Sequence, residues 1–394
     1  MSNLTSSKVR AFQRVLKGVL YVIYLIIVLE CGARLVFWPR RIVQFVSGLD
    51  DSTRRILWVK QHGKGWQKLD YRFEIYHPVR GWAMASNVRN MQEGDGTLMS
   101  TNSLGIRGTT EYSEFPASAK KRIIVLGDSF TFGNEVTDDQ TYSHYLGAAL
   151  SSSEVLNLGV PGYGHDQMLL YLEEEGVKYH PGVVLVGFNW YDMHRNCQGF
   201  LFYWKPRFVL REGRLLLTHV PVPPPEDVVR QEIYRSKLLD LGNILWHRFS
   251  LTFGSEQEDA REITSAIFDE MLALCHRIGA TLVFAYLPVG EELADPSGAM
   301  SPNEQFLSQY CESRHVPCVF LRPDFLAARK KGLELYNASH WRPYEHLIAA
   351  SALKKFLICR GLATEVAGDN NVPPSHCNSL AEDSPSKINP AIQN

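Results

Sequence analysis

A chain of 394 residues is long enough for one large domain or two modest ones. Its 45% hydrophobic and 21% charged residues are the balance of a folded globular protein. The net charge of −1, with no basic run interleaved with aromatics, argues against a nucleic-acid partner. The seven cysteines show neither a CxxC pair nor a Cys/His metal spacing, so no metal and no cofactor is expected. Cys311 and Cys318 are suited either to pairing in an oxidising compartment or, more simply, to being two small buried residues.

At the amino terminus, residues 1–17 carry Lys8, Arg10, Arg14 and Lys17 and no acid. Gly18 to Leu29 is uncharged, Glu30 and Arg34 follow at a spacing that pairs them on one helix face, and Leu35 to Trp38 resume the apolar run up to Pro39. Residues 18–38 are therefore expected to be a transmembrane signal anchor behind a basic cytoplasmic arm, residues 1–17. A cleaved signal and an amphipathic surface helix are the alternatives. Residues 39–120 form a lead-in with no strand–helix rhythm.

From residue 121 the rhythm begins. Apolar runs at 122–127, 154–158, 183–188, 280–287 and 316–321 alternate with helical patterns near 138–151, 165–179, 257–278, 302–314 and 343–359. This predicts a three-layer α/β domain over 121–363, a flavodoxin-like doubly wound sheet of about five mainly parallel strands whose carboxyl ends share one rim. Residues 197–256 interrupt it with a hairpin about Glu212-Gly213, a Pro-rich turn and a helix, read as an inserted lid, a substrate wall or a decoration. Residues 364–394, rich in Pro, Ser, Asn and Asp, are expected to be a disordered tail.

Four segments reach the rim. Gly127-Asp128-Ser129 ends the first strand and exposes a serine hydroxyl where strand gives way to helix. Asn157 to Gly164 offers glycines and open N–H groups, Gly187 to Asp192 closes the third strand, and Asn337 to Trp341 precedes the last helix. A serine with a distant histidine, His340, is the minimum for an activated nucleophile. Asp128 is expected to tie down the loop beside it. His165 is read as a cap residue or a substrate contact. Arg195 suits an anionic or sugar substrate or a salt bridge to Asp192. His340 and His346 have a metal-like spacing but no third ligand.

With GDSFTFG, NLGVPGYG and a late histidine in this order, the chain resembles the SGNH/GDSL hydrolase superfamily over residues 122–192 and 337–360. The Glu–Arg pair in the anchor, SLGIRG and GVPGYGHDQ resemble its membrane-anchored bacterial members. The resemblance implies a serine esterase or acyl hydrolase of the inner membrane, its catalytic domain in the periplasm or outside. Substrates would be O-acyl esters, including those of glycans or envelope polymers; transfer of an acetyl group onto an exopolysaccharide is the alternative. By position, Ser129 is the nucleophile and one oxyanion donor, the Gly159 N–H a second donor, and His340 the general base. Two departures stand out. The family's Asp before the histidine is replaced by Asn337 and Ala338, leaving His340 oriented by Asn337, a backbone carbonyl or an acid from elsewhere. The oxyanion Asn matches Asn189 by local pattern but Tyr191 by register. These departures are the evidence for a second alternative, a catalytically weakened domain that binds glycan or anchors an envelope assembly.

Overall fold

The structure, a computed structural model, describes residues 2–38, 50–62, 73–92, 96–116, 120–150, 152–253, 255–295, 298–335 and 340–364. Asn337 and the tail beyond residue 364 lie outside the described residues. The principal helices are α1 (Ser2–Phe37), α2 (Asp51–His62), α3 (Ser129–Phe132), α4 (Tyr142–Ala149), α5 (His165–Glu174), α6 (Trp190–Asn196), α7 (Pro225–Glu232), α8 (Lys237–Phe253), α9 (Ser255–Ile278), α10 (Pro302–Arg314), α11 (Arg322–Lys330) and α12 (Pro343–Cys359).

Two compact units form, one within residues 1–83 and 193–266, the other within 84–192 and from 267 onward. The first unit joins the inserted segment to residues near the amino terminus, and the reason is polar. The Asp51 carboxylate accepts the N–H groups of Gly199 (2.9 Å) and Phe200 (3.1 Å). Arg55, only 2% exposed, pairs with Glu232 at 2.9 Å and Asp240 at 2.6 Å. A buried guanidinium needs such carboxylates, so α2 holds α7 and α8 against itself. The two units divide at Ala83, before Met193 and after Ala266. The stretch Phe12–Phe37 of α1 is long and apolar enough to cross a membrane. Within it Glu30 and Arg34 pair at 2.9 Å.

The second unit carries the sheet. Strands β1 (Lys121–Gly127), β2 (Ser153–Gly159), β3 (Val183–Phe188), β4 (Thr281–Tyr286) and β5 (Cys318–Phe320) lie in the order β5-β4-β3-β1-β2, all parallel. This is the doubly wound 2-1-3-4-5 order, with its switch point between β1 and β3. Ile123 to Leu126 are fully buried, so β1 reads as a continuous apolar run rather than an alternating one. On one face Ile123, Val125, Val183, Leu185, Val283 and Ala285 pack with Tyr142 and Leu146 of α4 and Leu353 and Phe356 of α12. On the other, Phe268 of α9 lies 4.4 Å from Phe284 and 5.2 Å from Tyr310 of α10 (ring centroids). Each such side chain contributes about 1.5–3 kcal/mol by leaving water. Cys311 and Cys318 are free thiols, not a disulfide.

Candidate active site

At the carboxyl end of β1 the chain must turn at once, and glycine permits it. A Cβ on Gly127 would stand 1.9 Å from Thr131 Oγ1. The Asp128 carboxylate caps α3 by accepting the Phe130 N–H at 2.9 Å. Its role is to fix the turn that presents Ser129, which is 8% exposed. Asn157 of β2 secures the same turn from beside it, donating to Thr131 O at 2.8 Å and to Ser143 Oγ at 2.7 Å.

His340 arrives just before α12, and its neighbour anchors it. Trp341 is 2% exposed, donates from Nε1 to Pro288 O at 3.0 Å and packs on Phe130 and Phe325. The His340 ring then sits 5.1 Å from Phe130. Its Nε2 lies 2.9 Å from Ser129 Oγ and its Nδ1 lies 3.1 Å from Glu135 Oε1. A hydroxyl, an imidazole and a carboxylate stand in line within hydrogen-bonding distance. That is the geometry of an activated serine.

Glu135 is the residue that sequence reasoning missed. After α3 closes, Gly133 takes a left-handed conformation (φ 84°) and both Gly133 N–H and Asn134 N–H return to Ser129 O, at 2.9 and 3.1 Å. Glu135 is then itself left-handed, with φ 66°, an unusual backbone for a non-glycine residue. The turn folds back and brings the acid beside the histidine. The sequence signal was an acid six positions after the serine, directly behind a glycine turn.

Extending the β1–β3 register from the pair Leu126 and Val186 places Ser129 and Asn189 each three positions further on. Asn189 is fully buried. Its Oδ1 accepts the Tyr191 N–H at 3.1 Å, while its Nδ2 has no hydrogen-bond partner among the described residues. A buried amide N–H₂ without an acceptor is costly, and a site awaiting an acceptor is where one is expected. Tyr191 lies instead against the core, its ring 4.0 Å from Trp190.

Two expected assignments change. The Gly159 N–H is already donated to Asn157 Oδ1 at 3.0 Å. Glycine is needed there for a different reason: a Cβ would come within 2.3 Å of Phe132 N, in the backbone of α3. His165 is fully buried, its ring 5.1 Å from Phe188 and 4.9 Å from Phe268, so it has no surface to offer a substrate. Asp192 is buried, and the Arg195 carbonyl accepts from Lys205 Nζ at 2.9 Å. His346 turns inward: its Nδ1 accepts the Tyr142 N–H at 3.1 Å, and burial, with Arg107 and His340 nearby, lowers its pKa to about 3.

The sheet order and the meeting of Ser129 with His340 are those that the resemblance to SGNH/GDSL hydrolases implies. No protein-family model and no curated protein sequence matches the chain. It is similar to several solved structures. One is a member of the lipolytic protein G-D-S-L family from Veillonella parvula, at 11% identity over 60% of this chain and 97% of that one, with a TM-score of 0.37. Another is an acetylxylan esterase from Geobacillus stearothermophilus, at 12% identity over 61% of this chain and 96% of that one, with a TM-score of 0.37. A third is an alpha/beta hydrolase enzyme from the metagenome of Lake Arreo, at 13% identity over 63% and 99%, with a TM-score of 0.39.

Proposed function

We propose that this chain is a serine ester hydrolase that works through Ser129, His340 and Glu135. One observation carries the reading: His340 bridges Ser129 Oγ and Glu135 Oε1 at 2.9 and 3.1 Å. In the reaction His340 Nε2 takes the hydroxyl proton as Oγ bonds to the acyl carbon, and the carbonyl π pair moves onto oxygen. The Ser129 N–H and Asn189 Nδ2 are the donors we assign to that oxyanion. Glu135 supports the imidazolium formed at this moment. As the intermediate collapses, His340 returns the proton to the departing alcohol. Water, deprotonated by the same nitrogen, then releases the acid and restores the serine.

The argument for a weakened binding module rested on Asn337 in place of a carboxylate and on the displaced oxyanion Asn. Glu135 Oε1, 3.1 Å from His340 Nδ1, answers the first, and the buried Nδ2 of Asn189 supports an answer to the second. The membrane reading completes the proposal: Phe12–Phe37 anchors the chain and the basic arm stays in the cytoplasm, so the hydrolase faces the periplasm, where acylated envelope glycans are the substrate class.

The test uses the full-length chain. A fluorophosphonate should label wild type, and Ser129→Ala or His340→Ala should abolish both labelling and the hydrolysis of an activated acetyl ester. A wild type that neither labels nor hydrolyses acyl esters overturns the reading. For the anchor, the chain should stay with membranes through carbonate extraction, and recovery in the soluble fraction would sink that part alone.

A further inference from the structure

The unit that holds the inserted segment carries a second candidate site, built without any of the catalytic residues. Strands Glu74–His77 and Gly81–Met84 pair into a two-stranded sheet. Against it folds the tight turn in which Phe200 and Trp204 bridge one another. Only glycine allows that approach, because a Cβ on Gly81, at φ 84°, would run into Trp204 O. The Val222 N–H donates to Pro78 O at 2.7 Å and draws the proline-rich stretch alongside. Together these pieces wall an open cleft of about 290 Å³, its mouth included, lined among others by Glu74, Tyr76, Trp82, Phe202 and Tyr203.

Four of those side chains are aromatic, and their rings stand at steep angles to one another. Trp82 and Phe202 lie 6.1 Å apart at 56°, and Tyr76 and Tyr203 lie 6.4 Å apart at 89°. Trp58 of α2 backs Tyr203 at 5.2 Å. Each tyrosine hydroxyl donates to a backbone carbonyl, Tyr76 to Val222 O and Tyr203 to Pro223 O, both at 2.6 Å. The tyrosines therefore have ring surface to offer a ligand and no proton.

Among the described residues Glu74 is the one charged side chain on these walls. Its carboxylate has neither a hydrogen bond nor an ion pair among the described residues, and burial pushes its pKa up to about 7. A carboxylate left unpaired in apolar surroundings is costly, and an arriving cation removes that cost. The negative faces of aromatic rings add to the attraction. The kind of cation follows from what the walls lack. A primary ammonium brings three N–H donors that each ask for an acceptor, whereas an alkylated one presents methyl groups to the rings. We propose that this cleft binds the alkylated ammonium head of an organic cation, with Glu74 as its counter-ion and Tyr76, Trp82, Phe202 and Tyr203 as its walls. Such binding requires neither the hydrolase reading nor the anchor.

The test uses the full-length chain in maltoside micelles at about pH 8, where Glu74 is ionised. Saturation transfer to ligand methyl protons is titrated for choline and for its uncharged carbon isostere, dimethylbutanol. Choline should bind about tenfold or more tightly than the isostere. Glu74→Gln should bring choline down to the isostere's affinity and change the isostere less than about threefold. Phe202 is 52% exposed, so Phe202→Ala leaves the core filled and should weaken both ligands about threefold or more. Titrations in phosphatidylcholine and in phosphatidylglycerol vesicles then separate two sources of the group: a lipid headgroup competes with choline only in the first, and a free solute leaves the two alike. Choline and isostere binding equally, choline affinity indifferent to Glu74→Gln, or no choline binding at about 50 mM overturns the proposal. The comparison of choline with its isostere needs no variant, so it decides the matter even if a substitution unfolds the chain. Binding of glucose but not of choline would make the cleft a sugar site, and the proposal fails.

Discussion

Glu135 Oε1 lies 3.1 Å from His340 Nδ1, although 205 positions separate the two residues. The acid beside the histidine is on the serine's own loop. Glu135→Gln keeps the shape and removes the charge. Turnover should fall about 10²- to 10⁴-fold with KM little changed, since the carboxylate's support is felt when the imidazolium forms. Glu135→Asp should retain part of the activity. Asn337→Ala, measured alongside, should cost less than Glu135→Gln; the reverse ranking would return the orienting role to Asn337.

His346 sets an acid limit on stability. Its pKa falls from 6.5 to about 3 because the ring is buried. The folded state holds it neutral, while the unfolded chain protonates it below about 6.5. The unfolded state therefore binds more protons in that window. The contribution is intact above pH 6.5 and is lost as pH falls towards 3, at a limiting slope of about 1.4 kcal/mol per pH unit. Urea unfolding at pH 7.5, 6, 5 and 4 should show wild type losing stability faster than His346→Gln, whose amide oxygen can still accept the Tyr142 N–H. Parallel slopes would mean that His346 protonates in the folded protein.

Gly159 is needed for approach rather than for hydrogen bonding. A methyl group there meets the backbone at Phe132 N, which no side-chain rotation relieves. Gly159→Ala should lower the melting temperature, with a cost of about 1–3 kcal/mol or more, and displace the turn that carries Ser129. Turnover per labelled serine separates the two roles: a variant that keeps its stability and loses only rate would restore Gly159 as a donor.

The sheet was legible because its strands are short apolar runs, and parallel strands buried on both faces leave that signature in sequence. Ser129 and His340 were legible because both stand at element ends within that rhythm. Glu135 was not, since its place depends on two successive departures into left-handed backbone, at Gly133 and at Glu135 itself, which residue type alone does not announce. His165 misled for the opposite reason. Its position at the start of α5 is a rim position, but its ring turns in between Phe188 and Phe268. The union of residues 193–266 with the amino-terminal segment was hidden as well, because Asp51 and Arg55 act on partners far along the chain.

Our proposal of Asn189 over Tyr191 rests on a single atom. Asn189 Nδ2 is buried and has no partner among the described residues, while the Asn189 Oδ1 bond to the Tyr191 N–H holds the amide in one orientation. An oxyanion formed above Ser129 would give that N–H₂ its acceptor only as the reaction proceeds. Asn189→Ala should then lower turnover about 10²- to 10³-fold and leave KM nearly unchanged, the mark of a bond made only in the transition state. Asn189→Asp should be at least as damaging, because it sets a negative charge where one develops. Tyr191→Phe removes only a hydroxyl from a ring packed on the core and should change turnover less than threefold. Phosphonate labelling rates of Ser129 should follow the same order, since the phosphonyl oxygen occupies the place of the oxyanion. If Tyr191→Phe carries the large loss and Asn189→Ala does not, the donor is the tyrosine and the buried amide of Asn189 serves the fold alone.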